Sequence, residues 1–477
     1  MSRSIRWLVL GSITLVLGIG CVSVGGADEW PQWFGPNRDG IWRETGLLDK
    51  FPEGGPKVLW RVPTDLGYSG PAVAYGKVYL TDWVRDKDEN GKDLKPTKEQ
   101  GLLGTERVRC LDAQTGKILW EHTYACPYRI SYPFGPRTTP TVTNGRVYTI
   151  GAMGDMVCLD AEKGTLIWKK NVVSSYGLTD RLPSDPKELE KAYSKMFPVW
   201  GYAASLLVEG DLVYSLVGGP GSAVVAFNKD TGAEVWKALE TQEVGYAPPM
   251  IYKLGGPNAP PQLIIWLSES LNSLDPATGK VYWTVKFPSS GKLQRPYINI
   301  VTPRMIGQDE LLVSTFYNGS MLVKVTGNPP KADVVWEGKS DNPQKPDTLH
   351  SSMATPIVVG DYIYGCCAWG ELRCLELKTG KSLWTQFDVV EKKKAFCGTA
   401  FLIPNGNRCF IWNDQGELIL AELSPKGYKE ISRAKLIEPV HETRGRSVVW
   451  THPAFAHKHM YVRNFKEIIC VDLSSPQ

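Results

Sequence analysis

Ten side chains have the chemical types that bind flat or charged ligands, and most of them directly precede a short apolar segment. They are aromatic, arginine or histidine residues: Tyr68, Arg129, Arg137, Trp200, Tyr202, Tyr246, Arg304, His350, Trp450 and His452. Arginine forms paired hydrogen bonds with anionic oxygens, and aromatic faces stack on rings and cations. Carboxylates are almost absent from these positions. The set suits an anionic, flat or sugar-like ligand if the fold brings it together; the alternative is that these side chains only fill space.

The motifs of common catalytic and metal sites are missing. The chain has no GxSxG elbow, Walker loop, HExxH helix or CxxCH haem motif. His452, His457 and His459 are close in sequence, but His452 opens an apolar segment and His457 lies in the turn that follows it. These histidines therefore point to different ends of one hairpin, and we predict no metal site.

The candidate residues lie between copies of a repeated segment that reads as strand, tight turn and strand. Five clear copies are CLDAQTGKILW (Cys110 to Trp120), CLDAEKGTLIW (Cys158 to Trp168), AFNKDTGAEVW (Ala226 to Trp236), SLDPATGKVYW (Ser273 to Trp283) and CLELKTGKSLW (Cys374 to Trp384). A drifted copy, VKVTGNPPKADVVW, ends at Trp336. Self-similarity at a period of roughly 40–50 residues is typical of propellers and solenoids. The 47 glycines, 34 prolines and 17 tryptophans suit a turn-rich all-β protein with large aromatic anchors.

The two ends of the chain complete one further repeat. KVLWRV (Lys57 to Val62) resembles the last strand of a unit without its earlier strands, while residues 450–473 supply three strands without a final tryptophan strand. Pairing them closes a ring and removes an exposed edge. The sequence therefore predicts an eight-bladed β-propeller of four-stranded antiparallel blades, closed by N- and C-terminal strands in one blade. In such a ring, residues that enter the innermost strands surround one mouth of a central channel.

The N-terminal segment has the pattern of an export signal. Arg3 and Arg6 flank an apolar run that is too short to span a membrane, and Gly25 and Ala27 suit cleavage before Asp28. Cys21 offers a second interpretation, as a site of lipid anchorage. We predict a signal peptide at 1–27, a turn-rich strap at 28–56 and the propeller at 57–477.

The net charge of the chain is close to neutral. Loss of residues 1–27 lowers the formal charge from +4 to +2, which gives no electrostatic reason to expect nucleic-acid binding. After cleavage no membrane span is expected.

SDPKELEKAYSKM, within an insert at about 184–197, has helix-capping residues and predicts a short helix near 186–196.

The cysteines indicate packing rather than cross-linking. Cys110, Cys158, Cys374 and Cys470 share one repeat position, where other copies have alanine or serine, so a small buried side chain is required there. Cys366-Cys367 is a separate pair, predicted at a rim turn away from the channel mouth. Whether these two form a strained disulfide or stay separate is open.

The repeat, [CA]-LD-x-x-x-G-x-x-x-W, resembles the pyrroloquinoline-quinone (PQQ) propeller repeat. The resemblance implies that the tryptophans that end seven of the eight units dock between neighbouring blades: Trp60, Trp120, Trp168, Trp236, Trp283, Trp336 and Trp384. WPQWFGPNRDG and DTLHSSMATP look like exported bacterial PQQ-like repeat proteins, and the lipoprotein of the outer-membrane assembly machine is similar in architecture. In quinoprotein dehydrogenases the funnel holds PQQ and calcium with an Asp, Glu and Asn set, which the mouth positions here do not supply.

Two functions from different classes follow. The first is a non-enzymatic exported module that binds or scaffolds a protein, peptide or glycan in the periplasm or at the cell envelope, with no cofactor. The alternative is a PQQ- and Ca²⁺-dependent oxidoreductase acting on an alcohol or sugar.

Overall fold

The computed structural model describes residues 29–96, 101–178, 198–241, 243–291 and 298–476. Its strands form eight four-stranded antiparallel sheets, each made by neighbouring strands of the chain except for the last. Such sheets arranged radially form an eight-bladed β-propeller, so the fold predicted from the repeats is confirmed. The predicted segments at 1–27 and 186–196 lie outside the described residues.

Each blade runs from the channel outward. Blades one to four contain β2 Ala72–Ala74, β3 Lys77–Arg85, β4 Gly104–Asp112 and β5 Ile118–Ala125; β6 Thr141–Thr143, β7 Arg146–Ile150, β8 Asp155–Asp160 and β9 Leu166–Asn171; β10 Leu207–Glu209, β11 Leu212–Leu216, β12 Val224–Asn228 and β13 Glu234–Ala238; β14 Met250–Lys253, β15 Pro261–Trp266, β16 Ser270–Leu274 and β17 Val281–Lys286. Blades five to seven contain β18 Arg304–Ile306, β19 Glu310–Thr315, β20 Gly319–Thr326 and β21 Lys331–Glu337; β22 Ile357–Val359, β23 Tyr362–Cys366, β24 Leu372–Glu376 and β25 Ser382–Gln386; β26 Ala400–Asn405, β27 Arg408–Asn413, β28 Glu417–Ser424 and β29 Gly427–Lys435.

Blade eight joins the two ends of the chain. It consists of β32 Ala454–Ala456, β33 His459–Arg463, β34 Glu467–Asp472 and, as the outermost strand, β1 Val58–Pro63. Trp60 pairs with Cys470 across β1 and β34. The predicted closure is therefore confirmed, and its hydrogen bonds hold the N-terminal strand against the C-terminal strand.

The repeated tryptophan and glycine meet between blades, at what we call the interblade docking sites. Trp168 of blade two donates its indole N–H to the Lys229 carbonyl of blade three at 2.9 Å, and a Cβ on Gly232 would lie 2.8 Å from the same indole. The other sites with this carbonyl bond belong to Trp60, Trp120, Trp236, Trp336 and Trp384. The repeat thus requires glycine both for its positive φ and for the close approach of a ring.

Trp283 differs from the other six. Its indole N–H bonds Gln262 of its own blade at 3.0 Å, although the ring packs among buried residues of blade five. The turn of blade five has drifted to VTGNPP, and a Cβ on Gly327 would meet only the Pro329 carbonyl. Without the usual turn, the indole takes a side-chain acceptor from its own sheet.

The shared cysteine position is explained by the cross-strand neighbours. Cys158 lies between Tyr148 on β7 and Trp168 on β9, whose ring centroids are 6.2 Å apart. A larger side chain would not fit beneath this pair, and a thiol fills the space without needing a hydrogen-bond partner. Cys110, Cys158, Cys374 and Cys470 are all buried and free, which agrees with the packing interpretation.

In the described part of the chain, two small elements lie outside the blades. A hairpin of β30 His441–Thr443 and β31 Arg446–Val448 connects blade seven to blade eight. A single helical turn, α1 Val172–Ser175, follows blade two and is capped by the Asn171 side chain, which accepts from Ser174 N. Among the described residues, no helix has the length and hydrophobicity needed to cross a membrane.

Candidate functional site

The strap that precedes the first strand closes one side of the central channel. Trp30 pairs with Val73 of blade one, and the Pro31 carbonyl accepts from Val142 N of blade two at 2.8 Å. Further along, the Arg38 guanidinium donates to the Val208 carbonyl of blade three at 2.9 Å. This segment therefore crosses from one inner strand to the next.

The strap then continues across the ring to the far blades. Trp33 donates its indole N–H to Thr302 Oγ1 beside blade five at 2.9 Å, and Trp42 N donates to the Pro404 carbonyl of blade seven at 2.9 Å. Trp33 also lies against His452, with ring centroids 4.8 Å apart. Its indole forms part of the floor of a cavity above it.

That cavity has a volume of about 280 Å³ and receives residues from all eight blades. Its side chains come from the strap, the loops that enter the inner strands, the β19–β20 turn and the β30–β31 hairpin: Trp33, Tyr68, Tyr132, Arg137, Trp200, Ala203, Tyr246, Pro248, Ile298, Ile300, Phe316, Tyr317, Ser352, Met353, Phe396, Cys397, Phe401, Arg444, Trp450 and His452. We call it the funnel cavity. The side chains line a space and do not fill it.

The structure brings six of the ten candidate residues to this cavity. They are Tyr68, Arg137, Trp200, Tyr246, Trp450 and His452. Each comes from the loop before an innermost strand, which is the position that the repeat count indicated. Ligand binding by these side chains remains a prediction.

The other four candidates lie elsewhere. Arg129 lies beside Gly101, outside the lining, and Tyr202 is buried with its hydroxyl donating to the Val217 carbonyl at 2.7 Å. Arg304 begins β18 and lies over the Phe34 ring of the strap, 5.7 Å from its centroid. His350 is completely buried, with Nδ1 2.9 Å from the Phe316 carbonyl, and is not among the lining residues. Tyr202, Arg304 and His350 are close in sequence to strand starts, but neighbouring residues of a loop point in different directions.

Several lining residues escaped the sequence analysis as candidates. Trp33 belongs to the strap, whose path across the channel has no local sequence signal. Tyr317 precedes the glycine of a hairpin turn, and Phe396 and Arg444 lie in segments with no repeat pattern. The aromatic and basic content of these segments is the only signal that would have suggested them.

Aromatic rings form a continuous arc along one wall of the funnel cavity. Tyr246 and Trp200 have centroids 5.1 Å apart, and Trp200 meets Tyr132 at 6.5 Å. Tyr132 and Trp450 are 6.5 Å apart, and Trp450 and Tyr68 are 6.3 Å apart. The arc joins loops from five parts of the chain, so it exists only in the folded ring.

Two arginines supply the permanent charge of the lining. The Arg137 guanidinium lies 5.3 Å from the Tyr68 ring centroid and donates to the carbonyls of Gly135 and Tyr132. Burial lowers its pKa, although arginine stays protonated in proteins. Arg444, at the exposed tip of the β30–β31 hairpin, lies 5.3 Å from the Phe396 ring centroid. A hydrogen bond with the Tyr132 hydroxyl raises the pKa of Arg444.

Two histidines beside the cavity are neutral at physiological pH. Burial lowers the pKa of His452 to about 4, and its Nδ1 lies 2.7 Å from the Pro453 carbonyl. Burial also lowers the pKa of His441 to about 4; its Nε2 lies 3.2 Å from the Tyr68 hydroxyl. These rings add polar edges and aromatic faces but no charge.

The adjacent cysteines lie nearer to the funnel than predicted. Cys367 pairs with Ser351, and the Ala368 carbonyl accepts from N–H of Cys397, a lining residue, at 2.7 Å. The rim location inferred from the turn is therefore wrong, because β23 ends on the same face where β22 begins. Cys366 and Cys367 are free and buried, and burial raises both thiol pKa values.

The lining does not fit a calcium-held quinone. Calcium takes 6–8 oxygen ligands, mostly from carboxylates, amides and carbonyls. Among the described lining residues there is no aspartate, glutamate, asparagine or glutamine. The described part of the chain also has no group of three or more His, Cys, Asp or Glu side chains placed to hold a metal ion.

Comparison with known proteins assigns the family. A family model described as "Outer membrane protein assembly factor BamB" matches residues 104–386, which is more than half of the chain. The chain belongs to this family. The predicted resemblance to PQQ-type propellers is confirmed, since proteins named BamB and quinone alcohol dehydrogenases both occur among the relatives.

Individual relatives are distant. Outer membrane protein assembly factor BamB from Moranella endobia is 24% identical over 260 residues, covering 52% of this chain and 56% of its own length. The dehydrogenase subunit of a quinone alcohol dehydrogenase from Gluconobacter oxydans is 27% identical over 176 residues, covering 34% of this chain and 21% of its own length. The match to this chain thus spans only part of either curated relative.

A solved structure supports the same architecture over a longer range. BamB from Moraxella catarrhalis aligns with 88% of this chain and 98% of its own, with a TM-score of 0.54 and 14% sequence identity. At this identity the likeness concerns the fold alone.

Proposed function

We propose that the chain is an exported, non-enzymatic β-propeller that binds a protein, peptide or glycan of the cell envelope through its funnel cavity. The observation that carries the proposal is a cavity lined by all eight blades with aromatic faces and two arginines. Preformed concave sites with a few polar groups are the usual places for ligand binding. The described lining residues offer recognition chemistry but no arranged nucleophile, general base or metal ligand set.

Two further observations support a role at the envelope. Family members bear the name of an outer membrane assembly factor, and the N-terminal 27 residues have the pattern of a signal peptide. Cleavage after Ala27 would release the protein into the periplasm, whereas lipidation of Cys21 would anchor it. Mass spectrometry of the mature N-terminus distinguishes these two forms.

Site-specific photo-crosslinking tests the binding face. A photoreactive phenylalanine analogue replaces Tyr132 at the funnel cavity or, as the matched control, the exposed Tyr75 in the β2–β3 turn at the other end of an inner strand. In envelope fractions of the source organism, we expect a defined adduct from position 132 and none from position 75. The component is identified by mass spectrometry and rebound in purified form. Adducts from position 75 alone, or from neither position, would contradict the proposal.

The alternative is a PQQ-dependent oxidoreductase acting on an alcohol or sugar, and it draws on the similarity to a quinone alcohol dehydrogenase. Its test adds PQQ and Ca²⁺ to the purified protein and follows the melting temperature and alcohol-dependent dye reduction. A saturating rise in melting temperature together with dye reduction would favour the alternative and overturn the non-enzymatic proposal. We expect neither, because the lining residues that the structure describes include no calcium ligand set.

A further inference from the structure

We propose that the ligand of the funnel cavity is an anionic saccharide, whose carboxylate or sulfate ester lies between Arg137 and Arg444. The sugar ring would lie against the aromatic arc that includes Trp200 and Trp450. This inference rests on the proposed function and names the chemical class of its ligand. Charge, wall shape and the placement of the cavity mouth each support it.

The charge of the cavity is unbalanced. Arg137 and Arg444 both line it, and no described lining residue is acidic. The guanidinium of Arg137 is held by backbone carbonyls, which satisfy donors without neutralising the charge. A cation in a low-dielectric wall attracts an anion much more strongly than a cation in water does.

Two acids behind the aromatic wall already have partners. Glu106 accepts from the Tyr128 hydroxyl at 2.5 Å, and burial raises its pKa. Glu243 accepts from the Tyr246 hydroxyl at 2.7 Å. Neither residue is among the lining residues, so an anionic ligand meets the two arginines and the tyrosines of the wall.

The shape of the walls favours a sugar over a flat aromatic anion. A flat ring that is clamped by stacking on both sides needs two roughly parallel faces. Here Tyr132 makes angles of 83° with Trp200 and 48° with Trp450, while Tyr68 and Trp450 are close to parallel but already in mutual contact at 6.3 Å. Inclined faces suit a puckered ring that has C–H groups on its faces and hydroxyls around its edge.

Arg444 is positioned across the mouth by a buried ion pair. Two residues along the hairpin, Arg446 bonds both oxygens of Asp414 at 2.9–3.0 Å, and Asp414 is completely buried. The tip then reaches both walls, through the Tyr132 hydroxyl and the Phe396 ring. Arg444 can therefore meet the charged group of a ligand that has entered from the funnel side, since the strap covers the other.

Calorimetric titration of the purified mature chain tests the inference. The probes are digalacturonate, its dimethyl ester as a neutral match, and a sulfated galactose disaccharide. We expect saturable binding of one or both anionic sugars, and at least tenfold weaker binding of the ester, because hydrogen bonds to charged groups are the stronger ones.

Variants locate the charged contact. Arg444→Gln removes an exposed cation without disturbing the core and is expected to weaken binding of the anionic sugar about tenfold, with Arg444→Lys intermediate. Arg61→Gln is the control, because it removes the same charge from the outer strand of blade eight, where Arg61 is half exposed. Its affinity should match that of the unchanged protein.

Other outcomes overturn the inference and are separable from failure of the proposed function. Equal binding of the ester, or a loss with Arg61→Gln as large as with Arg444→Gln, would exclude recognition by the two arginines. Binding of an acidic tetrapeptide or of PQQ alone, without either sugar, would replace the ligand class. If no anionic sugar binds while position 132 still crosslinks to an envelope component, the saccharide inference fails and the binding function stands.

Discussion

The interblade docking sites and the funnel cavity are built in opposite ways from the same ring. At the docking sites, successive blades repeat one arrangement, such as Trp120 against Gly164 and Trp168 against Gly232. In the funnel cavity no two blades contribute the same set: blade one supplies Tyr68, and blade three supplies Trp200. Repetition therefore serves assembly of the ring, and departure from repetition creates the site.

The two regions also differ in what surrounds their aromatic rings. A docked tryptophan is enclosed between sheets and has its N–H satisfied by a neighbouring carbonyl. The cavity rings meet one another at inclined angles around open space, near uncompensated cations. Mutations at docking sites should thus act on stability, and mutations at the cavity should act on binding.

The largest expected effect is the loss of a docked tryptophan. Trp168→Ala should lower the free energy of unfolding by about 3–5 kcal/mol, because it removes a buried ring and leaves a cavity between two blades. Urea denaturation measures it. Trp450→Ala, which removes a ring that borders open space, should cost less than half as much. Equal losses would show that the two regions do not differ in this way.

Acidification should lower the stability of the fold through two histidines beside the funnel cavity. The pKa of His441 and of His452 is about 4 in the folded chain, below the unfolded value of about 6.5, so the unfolded chain binds more protons as the pH falls. Stability present above pH 6.5 is lost progressively towards pH 4, on the order of 2 kcal/mol per histidine between pH 7 and 5. Melting curves of His441→Gln and His452→Gln should each show a weaker pH dependence than the unchanged protein. If both variants showed the same pH dependence as the unchanged protein, this assignment would be contradicted.

A pair of glycines separates ring contact from backbone strain. Gly164 and Gly76 have φ values of +68° and +69°, but a Cβ on Gly164 would lie 2.5 Å from the Trp120 ring, whereas one on Gly76 meets nothing within 4 Å. Both alanine variants carry the cost of positive φ, about 1–2 kcal/mol. Gly164→Ala should lose about 1–2 kcal/mol more through overpacking. Indistinguishable unfolding midpoints would show that the docking sites tolerate a methyl group.

The smallest effect on stability is expected at the cavity mouth. Arg444→Gln should change the free energy of unfolding by less than about 0.5 kcal/mol, because the side chain is exposed at a hairpin tip. Thermal unfolding without ligand is the measurement. A drop of several degrees would mean that the hairpin contributes to the ring itself, and that its role is structural.

The sequence predicted the fold more completely than the site. The strand that contains Trp60 has no earlier strands of its own unit, and the strand that contains Cys470 has no tryptophan strand after it. These two gaps were enough to predict the closing blade. For the cavity, we used the rule that lining residues come just before an innermost strand, and this rule correctly located Trp200 and Trp450. The same rule failed at Tyr202 and His350, because the direction of a loop side chain depends on neighbours that are remote in sequence.

The sequence by itself determined the ring, because each copy of the repeat contains its own strands, its turn glycine and the tryptophan that meets the next copy. These are local or nearest-neighbour requirements, and a linear pattern records them directly. Only the tertiary structure decided the site. The strap places Trp33 beneath His452 through contacts more than two hundred residues apart, and the β30–β31 hairpin carries Arg444 to Tyr132. Such meetings depend on the closed geometry of all eight blades, which no single segment encodes.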